Sequence, residues 1–421
     1  MSGVRVSTLA NGLRVATDPM PGLRSVAAGV YVDVGARFER RERNGVAQFL
    51  EHMVFKGTRR RSAKAIAEEI EAVGGQLNAW TGREQTGFTA RVLDDDLPLA
   101  IDMIADMLRN SVFDVDELAR EKQVILQEIG QVQDTPDDIV FDHLQAAAFA
   151  DQPLGRPVLG EPDTVAAIDR DDVIAYLAAG YGANRMILSA AGAVDHDALV
   201  RLAEDAFGDA PAGDAPTAGP ATYTGGELRD ERDLEQTHIA LAWAAPALAD
   251  PRQHAVAALS TLLGGGMSSR LFYEIREVRG LAYAVHSFVS QYADAGLFGV
   301  YAGADDEAAA ELVDCVGAVM NAARDGVDIE ELNRAKAQLR AGLFMGRESA
   351  GGRCEALAHQ LSVYGRPIAP EETLSDLDAV DVAAVKAELE ALMATPPTIA
   401  TVGASSALGD YDAVAARLAP R

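Results

Sequence analysis

Cysteine is almost missing from this chain. Cys315 and Cys354 are the only two in 421 residues and form no C-x-x-C pair, so neither a disulfide framework nor a thiolate metal site can be argued, and a reducing compartment fits. Long apolar runs are lacking as well. No stretch approaches the roughly 18 apolar residues of a membrane span, and residues 1–13 lack the apolar core of a secretory signal; the expected location is cytoplasmic, with no membrane partner. Basic residues are scarce: 37 against 64 acidic ones, a formal net charge of −27. That balance repels nucleic acid and anionic lipid and attracts cationic partners. The signatures of serine and cysteine nucleophiles are also absent, since there is no Gly-x-Ser-x-Gly and neither cysteine sits in a nucleophile context. Gly264-Gly265-Gly266 is not followed by Lys and Ser or Thr, which rules out a phosphate loop.

What remains is a globular composition, 48% hydrophobic and 24% charged, in a chain long enough for two or three cores. The sharpest break in composition is residues 209–220, rich in Pro, Gly and Ala without an apolar period, which reads as a linker. It divides the chain into an N-terminal domain (1–208), a linker (209–226) and a C-terminal domain (227–421). The two halves open alike. A β-like run at 25–32 leads through a polar turn to a helix at 45–56; after the linker, a run at 238–243 leads to a helix at 255–263. This pattern suggests a duplication. Further helices are expected at 63–73, 97–108, 115–132, 170–177, 307–323 and 329–343, and strands at 87–92, 186–191 and 296–302. Each half thus reads as α+β in two layers, a mixed, mainly antiparallel sheet with helices packed on it.

Chemistry concentrates in the first half. In the helix at 45–56 the positions Val46, Phe49, Leu50, Met53 and Val54 form an apolar stripe. Gln48, Glu51 and His52 share the other face. Positions 48 and 52 are one turn apart, as two metal ligands on one helix must be, and Glu51 lies beside them where a carboxylate can polarise a bound water. The segment matches the inverted zinc motif H-x-x-E-H except that Gln48 stands in the first position. In the helix at 115–132 an apolar stripe of Leu118, Ile125, Ile129 and Val132 is interrupted by Glu121 and Glu128, two turns apart. Burying two carboxylates costs several kcal/mol each without compensation, so a metal or a positive partner is expected near them. The other histidines have no metal spacing, and Arg59-Arg60-Arg61 reads as a solvated face.

The segment 44–58, together with 74–81, 121–128, 264–272 and 279–283, resembles the pitrilysin, insulinase and mitochondrial processing peptidase family, and most closely its shorter bacterial members. The resemblance spans both halves. It implies two homologous domains that close like a clam into a half-chamber, and a zinc metallopeptidase that cleaves unfolded peptides. By the same resemblance position 48, His52 and Glu128 are the zinc ligands, Glu51 is the general base and Glu121 orients a ligand. Asn78 and Ala79 lie by a sheet edge to which a peptide adds as a strand, Gly264, Gly265 and Gly266 form a loop against the substrate, and Arg279 and Tyr283 reach the substrate carbonyl. It further implies a homodimer or a heterodimer with a homologue, and a bacterial cytoplasm rather than a mitochondrial matrix. The acidity of the chain suits basic peptides. Gln48 departs from the pattern: a carboxamide is a weak, uncharged zinc donor, so weakened zinc binding and impaired hydrolysis are expected. The alternative is a non-catalytic peptide-binding or scaffold subunit that pairs with a catalytic homologue.

Overall fold

The computed structural model describes residues 3–214 and 217–420, so residues 215 and 216 of the expected linker lie outside the described residues. Two compact units emerge. The first comprises residues 1–129, 157–219 and 344–369, and the second comprises 130–156, 220–343 and 370–421.

The first unit is built on a six-stranded sheet of β1 (Arg5–Thr8), β2 (Arg14–Pro19), β3 (Ser25–Val32), β4 (Gln76–Thr81), β5 (Thr86–Leu93) and β6 (Met186–Gly192). Its order is β1-β2-β6-β3-β5-β4. The β2–β6 pair is parallel and the others are antiparallel. The second unit holds a five-stranded sheet of β7 (Gly226–Asp230), β8 (Thr237–Ala245), β9 (Ala282–Gln291), β10 (Gly296–Ala304) and β11 (Thr398–Val402), ordered β7-β11-β8-β10-β9. Its β7–β11 pair is parallel and the rest are antiparallel. Without β1, the first sheet has the same order and the same strand directions as the second, as a duplication requires.

The central strands are apolar on both faces: β6 and β10 are buried at every residue and β3 at all but its first. Such sheets need cover on both sides. Helices local to each half supply one layer, and each unit has a third layer that the two-layer expectation lacked. In the first unit it is the helix Ala350–Tyr364, whose Cys354, Leu357, Ala358 and Leu361 pack on Ala16, Ala27, Tyr31, Ile187 and Ala191. In the second it is the helix Pro136–Ala148, whose Val140, Leu144 and Ala148 pack on Ala240, Ala242, Ala400 and Val402. Each sheet therefore takes one covering helix from the opposite half of the sequence. This is why the compact units are discontinuous, unlike a single division at residues 209–226. Both cysteines are buried and free, and among the described residues no helix is long and apolar enough to cross a membrane.

Candidate functional site

The site is assembled from α1 (Val46–Val54), the edge strand β4, α2 (Ala63–Ala72) and, after α3 (Leu97–Asn110), the long helix α4 (Val115–Gln133). The apolar stripe of α1 is buried as its spacing predicts. No side chain of Gly45 can cap this helix, and the cap comes from upstream. One oxygen of Glu39 accepts from Gly45 N at 2.9 Å and from Asn44 Nδ2 at 2.7 Å, and the other accepts from Ala47 N at 2.7 Å. Glu39 is buried. Three donors and the positive end of the helix offset the cost of burying its charge.

Gln48, Glu51 and His52 project from the remaining face of α1, with Gln48 buried and the other two half-buried. From α4, Glu121 is buried and Glu128 keeps 39% of its side chain exposed. His52 Nδ1 lies 3.1 Å from Glu121 Oε2, and the second Glu121 oxygen lies 2.6 Å from Lys56 Nζ. His52 Nε2 lies 3.6 Å from Glu128 Oε2 and 3.3 Å from Gln48 Nε2. The directions follow from the tautomer of His52. With Nδ1–H donating to Glu121, Nε2 is an acceptor, and the Gln48 amide N–H donates to it. The lone pair that a metal would take on His52 is thus engaged by the side chain standing where the motif has a second imidazole.

Glu51 is held by Thr81, at the end of β4, whose hydroxyl donates to its carboxylate at 2.6 Å. Burial pushes the Glu51 carboxyl above the usual glutamate range; Thr81 and His52 oppose that rise and Glu128 adds to it. One imidazole, one facing carboxylate and one carboxamide do not make a good zinc donor set. Among the described residues no group of three or more His, Cys, Asp or Glu side chains is placed to hold a metal ion. Nor does any buried polar side-chain atom of Gln48, Glu51, His52, Lys56, Glu121 or Glu128 lack a partner. The cluster closes on itself, with the Lys56 ammonium as its positive charge.

Asn78 is exposed and Ala79 half-buried on β4, which pairs only with β5 among the described residues. Beside β4 and α2 lies a cavity of about 450 Å³ lined by Phe55, Lys56, Ile66, Ile70 and Leu77. The remaining sequence-derived site residues belong to the second unit. Arg279 pairs with Glu311 at 3.2 Å, and that bond raises its pKa. Tyr283 is exposed, and its ring is stacked by the guanidinium of Arg276 at 4.4 Å, which also lies 4.8 Å from the Phe272 ring. Phe272 and Arg276 belong to a π-helix, Phe272–Val278. Gly264 and Gly265 have a packing reason of their own, because a Cβ would lie 2.3 Å from Ser287 N and 2.7 Å from Thr261 Cα respectively. Gly266 is freer, with Gln338 Oε1 3.4 Å from where its Cβ would be.

Three residues of the site escaped the sequence reading. Lys56 follows His52 at the i+4 spacing and was legible by the same rule that paired 48 with 52. Thr81 closes the segment 74–81 but carries no spacing signal. Glu39 has none at all, since its contact depends on how the turn before α1 folds back.

Residues 14–162 match the family described as insulinase (peptidase family M16), and residues 167–339 match its companion, the peptidase M16 inactive domain. An uncharacterized zinc protease of Rickettsia bellii is 38% identical over 96% of this chain and 98% of its own length. A probable mitochondrial-processing peptidase subunit beta of Arabidopsis thaliana is also 38% identical, over 91% of this chain and 75% of its own. Among solved structures, a protease from Helicobacter pylori superposes with a TM-score of 0.88 at 22% identity, covering 95% of this chain and 99% of that one. A chain of complex III from Candida albicans reaches the same score at 24% identity over 99% and 100%. At such identities the two structures establish the fold alone.

Proposed function

This chain belongs to the insulinase family, peptidase family M16, and we propose that it binds extended, unfolded peptides but hydrolyses them slowly or not at all. The single observation that carries this reading is the Gln48 amide lying 3.3 Å from His52 Nε2. It replaces one imidazole and engages the other. In this reading the free edge of β4 at Asn78 and Ala79 receives the peptide as an added strand. Glu51, poised by burial and Thr81, is the group suited to accept a proton. Arg279, Tyr283 and the loop Gly264–Gly266 contact the peptide from the second unit, and the chain pairs with a copy of itself to enclose a chamber. The net charge favours cationic peptides at long range.

The test is hydrolysis of a quenched peptide by this chain and by Gln48→His, each with added zinc. Activity that appears only in the variant supports a peptidase disabled at one ligand. Silence from both folded proteins rejects that half of the reading.

A second reading has one observation in its favour: the Arabidopsis relative is named a subunit. Here the chain is a non-catalytic partner of a homologue with an intact motif. Recovery of such a homologue with the affinity-purified chain supports it, and a homodimer that gains activity through Gln48→His rejects it.

A further inference from the structure

Next to the cavity beside β4 lies a groove lined by five basic residues. This groove, of about 510 Å³, shares Lys56 and Ala63 with that cavity, whose apolar lining is joined by Glu71 and Gln76. Its wall carries Lys56, Arg59, Arg60, Arg61 and Lys64 against two acids, Asp114 and Glu117. Acids behind and beside the wall pair with most of these cations.

The five cations do different jobs. Arg61 is buried and bound to Glu69 at 2.8 Å, Asp102 at 2.7 Å and Asp106 at 2.9 Å. Arg60 shares Asp102 at 2.7 Å, and Lys56 is engaged by Glu121. The backbone N–H groups of Arg60 and Arg61 both donate to Thr58 Oγ1, which itself donates to Asp106. These bonds make the loop a rigid mount. The solvated face expected from the run Arg59-Arg60-Arg61 is therefore only partly realised, because Arg61 turns inward.

Arg59 is different. It is exposed and has no ion-pair partner among the described residues. Lys64 is 81% exposed and has only a surface pair with Glu68 at 3.2 Å, an interaction worth little. Arg59 on this loop and Lys64 in the first turn of α2 thus stand beside the cavity.

We propose that this groove binds a carboxylate of the peptide, carried just beyond a residue whose apolar side chain fills the adjoining cavity. The inference rests on the peptide-binding reading and gives it a local specificity, acidic at this position despite the cationic preference of the chain as a whole. An aspartate or glutamate side chain and a free C-terminus offer the same chemistry.

The test is fluorescence anisotropy of labelled peptides on the full chain. One series places Leu before Asp-Asp, Ser-Ser or Lys-Lys; another ends in Leu as the free acid or the amide. The acidic peptide is expected to bind about fivefold more tightly than the basic one, with a preference that shrinks in salt and disappears in Arg59→Glu/Lys64→Glu. Both positions are exposed, so an unchanged melting temperature verifies that the variant is folded. Tightening in either series supports the site, and the series that tightens names the source. Equal binding of all the peptides, or a preference that survives in the variant, overturns the proposal. Failure of every peptide to bind rejects the peptide-binding reading and the groove together.

Discussion

Between β3 and the edge strand β4 the first unit places α1, with Gln48, Glu51 and His52. Between β8 and the edge strand β9 the second places the helix Gln253–Gly264. Counting back from Gly57 and Gly266, the corresponding positions are Ala257, Ser260 and Thr261. The same holds for the helices that face them. Set on Leu118 and Leu332, Glu121 and Glu128 of α4 correspond to Ala335 and Gly342 of the helix Ile329–Gly346. Both units keep the buried leucines, and the second has none of the three carboxylates, the imidazole or the carboxamide, with hydroxyls at two of the five positions. The fold is carried by the apolar stripe and the sheet order, while the chemistry occupies a second face of α1 and interrupts the stripe of α4.

The comparison breaks most sharply at position 48. Gln48→His is expected to raise zinc-supported peptide hydrolysis by about a hundredfold or more, and adding Glu51→Gln should return it to the starting level. The corresponding change in the second unit, Ser260→Glu with Thr261→His, should create no activity, because Ala335 and Gly342 offer no carboxylate. A quenched-peptide assay on the four proteins decides this.

Next come the helix starts. Glu39→Ala removes a buried cap and leaves N–H groups of α1 unpaired, at an expected cost of about 2–3 kcal/mol in urea unfolding. Asp250 accepts from Arg252 N at 2.9 Å in an exposed setting, and Asp250→Ala should cost less than about 1 kcal/mol. Equal losses would show that the two helices are anchored alike.

The edges are more nearly equivalent. Trp80 of β4 lies over Gly87 and Phe288 of β9 over Gly299, with 2.6 and 2.1 Å separating the rings from where a Cβ would sit. Each Gly→Ala change should cost about 1–3 kcal/mol, with Gly299 the worse because its overlap is deeper. Denaturation of the two variants tests the order.

The smallest effect concerns pH. His196, buried between Ser7 Oγ at 2.8 Å and Thr17 Oγ1 at 2.9 Å, has its pKa lowered by burial and by the charge of Arg5. A histidine whose folded pKa lies below its unfolded value binds protons more weakly in the native state. Stability is therefore full above the ordinary histidine range and falls as pH drops through it. His196→Gln should flatten part of that slope in thermal melts from neutral to mildly acidic pH.

Much of this could be read from the chain. The stripes at i, i+3 and i+4 located α1 and α4, and the strand runs at 25–32 and 186–191 became β3 and β6 with little change at their ends. Gln48, Glu51, His52, Glu121 and Glu128 were gathered as candidates by helical spacing, and the structure brings them within one cluster. Thr81 and Glu39 were not found, because each acts through a contact across a turn or between elements that no period encodes.

By itself the sequence determined several of the helices and strands, among them α1, α4, β3 and β6, the similarity of the two halves, and the placing of the motif-bearing helix in the first of them. Those properties follow from local periodicity and side-chain type. Only the tertiary structure decided that each sheet borrows its covering helix from the other half, that the Gln48 amide takes the free nitrogen of His52, and that Arg61 turns inward while Arg59 stays out. The reason is physical. Strands buried on both faces must be covered by whatever apolar helix reaches them, and a polar atom leaving water must find its partner among neighbours in space, whatever their distance along the chain.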